Sequence, residues 1–274
     1  MNDMRLAVVG AAGRMGRMLI QTIPDTLGVR LVAALERADS PEIGRDSGEL
    51  VGSAASGVPV IADAEAALTD CDALIDFSSP ATTVTLAGLA AARRVAHIVG
   101  TTGLADEDLQ ALMAAAQKTV IVRSGNMSLG LNLLAVLVER AAAALGPAWD
   151  AEIVEMHHRM KVDAPSGTAL LLGEAAARAR GVSLADHSAR ARDGLTGPRK
   201  AGDIGFASLR GGTVVGEHTV IFAGAGERLE LAHRAEDRGI FARGALAAAL
   251  WTRERSPGFY SMADVLGLSS AGTA

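Results

Sequence analysis

The chain has few aromatic residues and almost no cysteine. Phe, Trp and Tyr make up 3% of its 274 residues, so its core must be built mainly from Ala, Leu and Val, and no function follows from that. The single cysteine, Cys71, excludes an intrachain disulfide, and no cysteine–histidine spacing suggests structural zinc. The apolar flanks of Cys71 predict a packed thiol rather than a nucleophile, because nothing beside it would lower its pKa. Long apolar runs are also missing. The longest, residues 129–138, contains Asn132 and stops at Glu139-Arg140, well short of the roughly 20 residues needed to span a bilayer. There is no excess of positive charge: the net charge is −5 and no basic run stands out, which argues against affinity for nucleic acid. Met1-Asn2-Asp3-Met4-Arg5 lead straight into a strand pattern, leaving no room for the apolar segment of a signal peptide. A cytoplasmic protein with neither membrane nor nucleic acid as partner is expected.

What is present falls into two grammars. Residues 5–9 read as a short buried strand, 14–23 as a helix ended by Pro24, and 29–35 as a second strand. The alternation continues with strand 73–77, helix 81–92, strand 97–100, helix 105–117 and strand 120–122. Apolar strands alternating with helices predict an α/β domain whose parallel sheet is doubly wound and covered on both faces. After Asn126 the order changes. Helix 129–145 leads to an alternating strand at 152–156 and a helix at 168–180, then to strands 204–210, 213–222 and 228–234 with glycine-bearing turns. That grouping predicts a second, α+β domain with a mixed or antiparallel sheet. Residues 185–202 lack periodicity and read as a long, mobile loop. Helix 240–251 has no strands around it and is expected to pack back on the first domain. The expected domains are therefore 1–127 with 240–274, and 128–239.

The first strand runs into Gly10-Ala11-Ala12-Gly13-Arg14-Met15-Gly16, with a helix beginning inside the run. Glycines there let the backbone turn tightly and approach a pyrophosphate, whose charge is held by the helix N-terminus. The spacing is GxxGxxG, one residue longer than the usual GxGxxG. Glu36, at the end of the second strand and twenty residues beyond Gly16, stands where such a fingerprint places an acid for the adenosine ribose. Strand, glycine loop, helix, strand and acid in this order predict a Rossmann-like, dinucleotide-binding first domain. Arg37 could pair with a 2′-phosphate that Glu36 alone would repel, so both NADH and NADPH are expected. Gly100-Thr101-Thr102-Gly103 and Ser124-Gly125-Asn126-Met127 follow later strands. They should border the nicotinamide end, since ligands of open α/β sheets lie outside the carboxyl ends of the strands.

The densest chemistry lies in Glu155-Met156-His157-His158-Arg159-Met160-Lys161-Val162-Asp163-Ala164-Pro165-Ser166-Gly167-Thr168. Imidazole titrates near neutral pH, lysine supplies positive charge, and the N–H groups that open a helix bind carboxylate or phosphate. On an extended strand His157 and His158 face opposite sides, so one is expected to react while the other binds. His97, His187, His218 and His233 are expected to be structural or solvated. No spacing resembles a metal site, and no metal is expected.

On these residues, together with Leu35-Glu36-Arg37, Asp76-Phe77-Ser78, Asn126-Met127-Ser128 and Val215-Gly216-Glu217-His218-Thr219, the chain resembles the 4-hydroxy-tetrahydrodipicolinate reductases. These were long called dihydrodipicolinate reductases and belong to the lysine–diaminopimelate pathway of bacteria and plants. The resemblance covers essentially the whole length. It implies NAD(P)H-dependent reduction of a cyclic imine bearing two carboxylates, with a proton following the hydride. It places Gly10, Ala11, Ala12, Gly13, Arg14 and Met15 at the cofactor pyrophosphate, Glu36 at the ribose and Arg37 at the NADP phosphate. Gly100, Thr101, Thr102, Ser124, Gly125, Asn126 and Met127 line the nicotinamide side. His157 is implied as the catalytic proton donor or acceptor, Lys161 as the second proton donor, and His158, Gly167 and Thr168 as substrate contacts. A homotetramer joined through the second domain's sheet is also implied; closure of the domains is expected because the cofactor site and the dicarboxylate site belong to different domains. Two departures are Met127, where an aromatic is common, and Ser79, where an arginine sometimes stands. The competing expectations are another two-domain dehydrogenase of amino-acid pathways, and a non-catalytic redox sensor that binds NAD(P)H.

Overall fold

The structure is a computed structural model in which residues 2–268 are described. In chain order the elements are β1 (Met4–Val9), α1 (Arg14–Thr22), β2 (Val29–Leu35), α2 (Ser47–Leu50), β3 (Val60–Ile61), α3 (Ala64–Ala67), β4 (Ala73–Asp76), α4 (Pro80–Arg93), β5 (Ala96–Val99), α5 (Asp106–Ala116) and β6 (Val120–Arg123). There follow α6 (Leu129–Leu145), β7 (Asp150–His157), α7 (Gly167–Ala179), α8 (Leu184–His187), β8 (Ser188–Ala189), β9 (Ile204–Arg210), β10 (Gly216–Ala223) and β11 (Arg228–Ala235). The chain ends with α9 (Gly239–Trp251), β12 (Gly258–Tyr260) and α10 (Met262–Val265). Two compact units result: the chain up to Leu129 together with the chain from Gly239 onward, and Gly130–Arg238.

The first unit holds a seven-stranded sheet of order β12-β6-β5-β4-β1-β2-β3, parallel at every pairing. Successive side chains of a strand point to opposite faces, and β1 uses both. Leu6 and Val8 pack in one core with Leu19 of α1 and Ala242, Ala245 and Leu246 of α9. Ala7 and Val9 pack in another with Leu86 and Ala90 of α4. This two-sided burial is why β1 reads as an uninterrupted apolar run. The strand order reverses between β1 and β4, so the loops leaving the carboxyl ends of these strands diverge and open a crevice.

The last stretch differs from the expectation of a helix without strand partners. Gly258–Tyr260 forms the edge strand β12, paired with β6 through Gly258↔Val120 and Tyr260↔Val122. Residues 269–274, included in the sequence reading of 240–274, lie outside the described residues.

The second unit holds a five-stranded sheet of order β11-β10-β7-β9-β8. β7, β9 and β8 are parallel, while β10 runs antiparallel to both β7 and β11. Helices α6 and α7 cover one face: Leu134 and Val138 of α6 and Leu172 and Ala176 of α7 pack on Ile153, Phe206, Val220 and Phe222. Burial alternates strictly along β7 and β10. Glu155 and His157 therefore continue the buried row of Ala151 and Ile153, and His218 continues that of Val220 and Phe222.

Residues 185–202 are not the structureless loop expected. They begin with α8 and β8, and Arg199 ties the remainder down. Its guanidinium donates to the carboxylates of Asp150 and Glu152 and to the carbonyls of Ala151, Lys200 and Asp203. A planar fork with several donors can satisfy such a set at once.

Candidate active-site residues

In the first unit a cleft of about 890 Å³ opens at the ends of β1, β2 and β4, bordered by Gly10, Ala12, Gly13, Glu36, Arg37 and Ser78 among others. The glycines have separate reasons. Gly10 has φ +69°, a left-handed conformation that L side chains rarely adopt. A Cβ at Gly16 would stand 2.7 Å from the Ala11 Cα and closer still to the Gly10 carbonyl, so glycine alone lets α1 approach β1. Gly13 caps α1 with no side-chain acceptor, leaving the opening turn of the helix to bind an anion. Glu36 bridges the ends of the first two strands: Ala12 N–H donates to its Oε2 at 2.9 Å and Arg37 N–H to its Oε1 at 3.0 Å. Its carboxylate is thus oriented within the cleft.

Other residues expected at the cofactor sit differently. Ala11 is fully buried, and Met15 packs against the core. Arg14 is exposed at the start of α1. None of the three borders the cleft, and for Ala11 and Met15 a contact there would be made by backbone. The Arg37 guanidinium pairs with Asp39 at 3.1 Å, both side chains being mostly exposed. Two cleft residues escaped the sequence reading: Arg17, whose Nε donates to the Ala12 carbonyl, and Glu42, which pairs with Arg17 and Arg45. The position of Arg17, one helical turn after Gly13, was the available signal.

Beyond β4 and β5 the polar loops are organised by Asp76, which is fully buried. Thr83 Oγ1 donates to it at 2.7 Å, the Ser78 hydroxyl and N–H also donate, and His97 Nε2 lies 3.2 Å away. Burial alone would raise its pKa, but hydrogen bonding and charge from His97, with the Ser78 and Thr83 hydroxyls, hold it below the ordinary value. Thr101 is drawn into this network through its bonds with Thr83 and Ser78 N–H. Gly100 lies against the Phe77 ring, whose Cδ1 would stand 2.6 Å from an added Cβ, so a larger residue there would have to displace the ring. Thr102 and Gly125 are exposed. Ser124 Oγ donates to the Asn126 carbonyl at 2.6 Å, closing a tight turn. The Met127 side chain is buried in the core. Any contact of residue 127 would be through its backbone.

In the second unit His157 ends β7 with its Nδ1 2.6 Å from Glu155 Oε2. Glu155 is 1% exposed and receives both terminal nitrogens of Arg210 at 2.8 Å and Ser166 N–H at 3.2 Å. Burial acts to raise the Glu155 pKa, but the bonds from Arg210 and His157 outweigh it and bring it down to about 2. For His157, burial lowers the pKa and the bond and charge of Glu155 oppose it, with a net shift downward.

His218, expected to be structural or solvated, is buried edge-on to His157, with ring centroids 5.1 Å apart. Its Nε2 lies 3.0 Å from Ser166 Oγ. Burial above all, with the neighbouring His157, pushes its pKa down to about 3. Ser166 Oγ also caps α7 by accepting from Ala169 N–H, so Gly167 and Thr168 form the first turn of that helix. Lys161 Nζ pairs with Asp163 Oδ1 at 2.9 Å. His158 faces the other way, into a cleft of about 450 Å³ shared with Met160, Thr213 and Arg238. Glu155, Arg210 and Arg238 were not singled out from the sequence. The i, i+2 spacing of Glu155 and His157 was a signal for the first, while Arg210 and Arg238 are brought in only by folding.

Comparison with known proteins settles the family. The model described as "Dihydrodipicolinate reductase, N-terminus" matches residues 4–127, and "Dihydrodipicolinate reductase, C-terminus" matches residues 130–266. The chain belongs to the dihydrodipicolinate reductase family. It is 64% identical over 268 residues to 4-hydroxy-tetrahydrodipicolinate reductase of Beijerinckia indica, covering 98% of this chain and 99% of the relative. It is 66% identical over 268 residues to that of Methylocella silvestris, covering 98% of each. Among solved structures, dipicolinate-bound dihydrodipicolinate reductase from Paenisporosarcina sp. TG-14 is similar, with a TM-score of 0.78 and 27% identity. That match covers 94% of this chain and 97% of the other.

The chain is accordingly an NAD(P)H-dependent oxidoreductase of lysine and diaminopimelate biosynthesis. It reduces 4-hydroxy-tetrahydrodipicolinate to tetrahydrodipicolinate. The family's N-terminal domain binds NADH or NADPH, and the residues of the first unit fit that group: the close approach at Gly16 and the oriented Glu36 leave a backbone cradle beside a carboxylate. Among the described residues no helix is long and apolar enough to cross a membrane. No group of three or more His, Cys, Asp and Glu among them could hold a metal.

Proposed function

We propose that the second unit supplies the proton and binds the two carboxylates of the substrate, while the first unit holds the cofactor through Gly10–Met15, Glu36, Arg37 and the loops after β5 and β6. The observation that carries this reading is the pair of hydrogen bonds made by Ser166, from its N–H to Glu155 and between its hydroxyl and His218 Nε2. That serine locks the opening turn of α7 against the strand end that carries His157. An imidazole and an anion-binding helix start therefore belong to one rigid assembly. His157 delivers the proton that follows reduction, and Lys161 is the second proton donor. Lys161 and the first turn at Gly167 and Thr168 neutralise the carboxylates, while His158 binds the substrate, with Arg238 adding charge on the His158 side. Bound NADH or NADPH supplies the hydride. The dipicolinate held by the Paenisporosarcina relative, a planar ring with two carboxylates, supports a cyclic dicarboxylate as substrate.

The same reading extends to a cytoplasmic homotetramer joined through the five-stranded sheet. Val154, Met156, Leu209 and Ile221 form an apolar patch on the sheet face opposite α6 and α7, flanked there by Glu152, Glu217, Glu230 and Arg234, and such a patch with a charged border suits a second copy. Light scattering on the purified protein tests the assembly, and a monomer would contradict it. The reaction is tested by following NADH and NADPH oxidation with substrate generated in situ by the preceding synthase from pyruvate and aspartate semialdehyde. Oxidation that depends on both precursors is expected. Cofactor binding without turnover would instead favour a sensor.

A further inference from the structure

We propose that Glu155, clamped by Arg210, is a positioning residue: it fixes the His157 ring with Nδ1–H turned to the carboxylate and leaves Nε2 as the nitrogen that carries the working proton. This deepens the reading of His157 as proton donor and rests on it.

The geometry starts from the sheet. Glu155 and His157 are two residues apart on β7 and share its buried face. Register places Arg210 of β9 directly beside His157, and His218 of β10 beside Glu155. A carboxylate with 1% exposure must be paired or neutralised. Here it accepts from both terminal nitrogens of Arg210, from Ser166 N–H and from His157 Nδ1, and the Ser208 side chain adds to them. An ionised carboxylate only accepts. At 2.6 Å, His157 Nδ1 must therefore carry the hydrogen, in the neutral ring as in the imidazolium. Nε2 is left to gain and lose the transferable proton. It faces the side-chain-free position at Gly216, where an added Cβ would stand 3.0 Å away. His218 packs edge-on against the ring, with centroids 5.1 Å apart. Two strands, a helix cap and a bidentate arginine thus fix one imidazole tautomer.

The charged and titratable groups facing His157 are Glu155 on its own strand, Arg210 from β9, His218 from β10 and Lys161 from the loop after β7, while His233 bears on His218. Glu155 raises the proton affinity of His157; burial, Lys161 and Arg210 lower it. Removing the two partners should therefore move the pH profile in opposite directions, which a merely structural role would not do.

The test has three arms. In wild-type protein carrying 15N-histidine, the His157 resonance, assigned with His157→Gln, is expected to show the Nδ1–H tautomer; an Nε2–H tautomer overturns the proposal without any Glu155 variant. In Glu155→Gln the alkaline fall of kcat should move by about one pH unit to lower pH, since one pKa unit reflects only 1.36 kcal/mol of interaction. In Arg210→Met it should move to higher pH, with Arg210→Lys intermediate and available if the methionine variant does not fold. An unchanged profile in Glu155→Gln, or shifts of the same sign in both variants, overturns the proposal. Turnover that survives His157→Gln would instead overturn the proton-donor reading, while the tautomer measurement would still judge the geometry.

Discussion

The two units hold their chemistry in different ways. In the first, the proposed cofactor cradle is made of backbone: the turn at Gly10, the close approach at Gly16, the open cap at Gly13 and an amide of Ala12 steadied by Glu36. Nearly all of it lies within one short stretch and the end of the next strand. In the second it is carried by side chains from separate elements: Glu155 and His157 from β7, Arg210 from β9, His218 from β10 and Ser166 from the cap of α7. A backbone cradle is tolerant of what surrounds it but intolerant of an added Cβ. An assembly of side chains is the reverse, since removing one charge leaves its partner buried and unpaired.

Variants can break this contrast at either end. The largest effect is expected from His157→Gln, with kcat falling by about 10²- to 10⁴-fold, the range for loss of a positioned acid or base. Steady-state turnover of the purified variant checks it, and Lys161→Met should fall within the same range. Gly16→Ala comes next. The new methyl meets Gly10 and Ala11 backbone, which cannot yield as a side chain would. The protein should lose about 3 kcal/mol or more of stability together with its cofactor affinity, as measured by chemical denaturation and NADH titration.

A smaller effect concerns pH. The folded-state pKa of His218 lies at about 3, against about 6.5 in an unfolded chain. Between those values the unfolded state binds more protons, so stability rises with pH through that window and is lost as pH falls through it. At about pH 5 the cost is on the order of 2 kcal/mol relative to neutral pH. His218→Asn should flatten the slope of stability against pH without abolishing it, because His157 and His233 are shifted in the same direction. Denaturant titrations at several pH values decide the point, and an unchanged slope would count against a neutral, buried His218. The smallest effect is expected at Glu36→Gln, which keeps an acceptor for Ala12 N–H but loses the charge. NADH affinity should weaken about tenfold, or 1.4 kcal/mol, and NADPH affinity less, because the carboxylate also repels a 2′-phosphate.

The contrast also explains what could be read without the fold. The glycine loop and Glu36 were legible because the fingerprint is contiguous and its spacing reflects one strand–helix–strand passage. β12 was not, since three residues give too little periodicity to register as a strand. The stretch 185–202 looked structureless because the partners that fix Arg199 lie up to 49 positions earlier. His218 looked incidental because its contact with Ser166 spans 52 positions. The burial of the Met127 side chain in the core was not legible either. What was missed depends on which strands become neighbours, as with Arg210 beside His157, and on which face a side chain takes.

The account's central claim is that gripping the cofactor and delivering the proton are separate tasks of separate units. Calorimetric titration of NADH into His157→Gln, on the preparation used for turnover, tests it most directly. Affinity within about twofold of wild type, beside the loss of turnover, is the predicted result. A loss of affinity of about tenfold or more, near 1.4 kcal/mol, would contradict it.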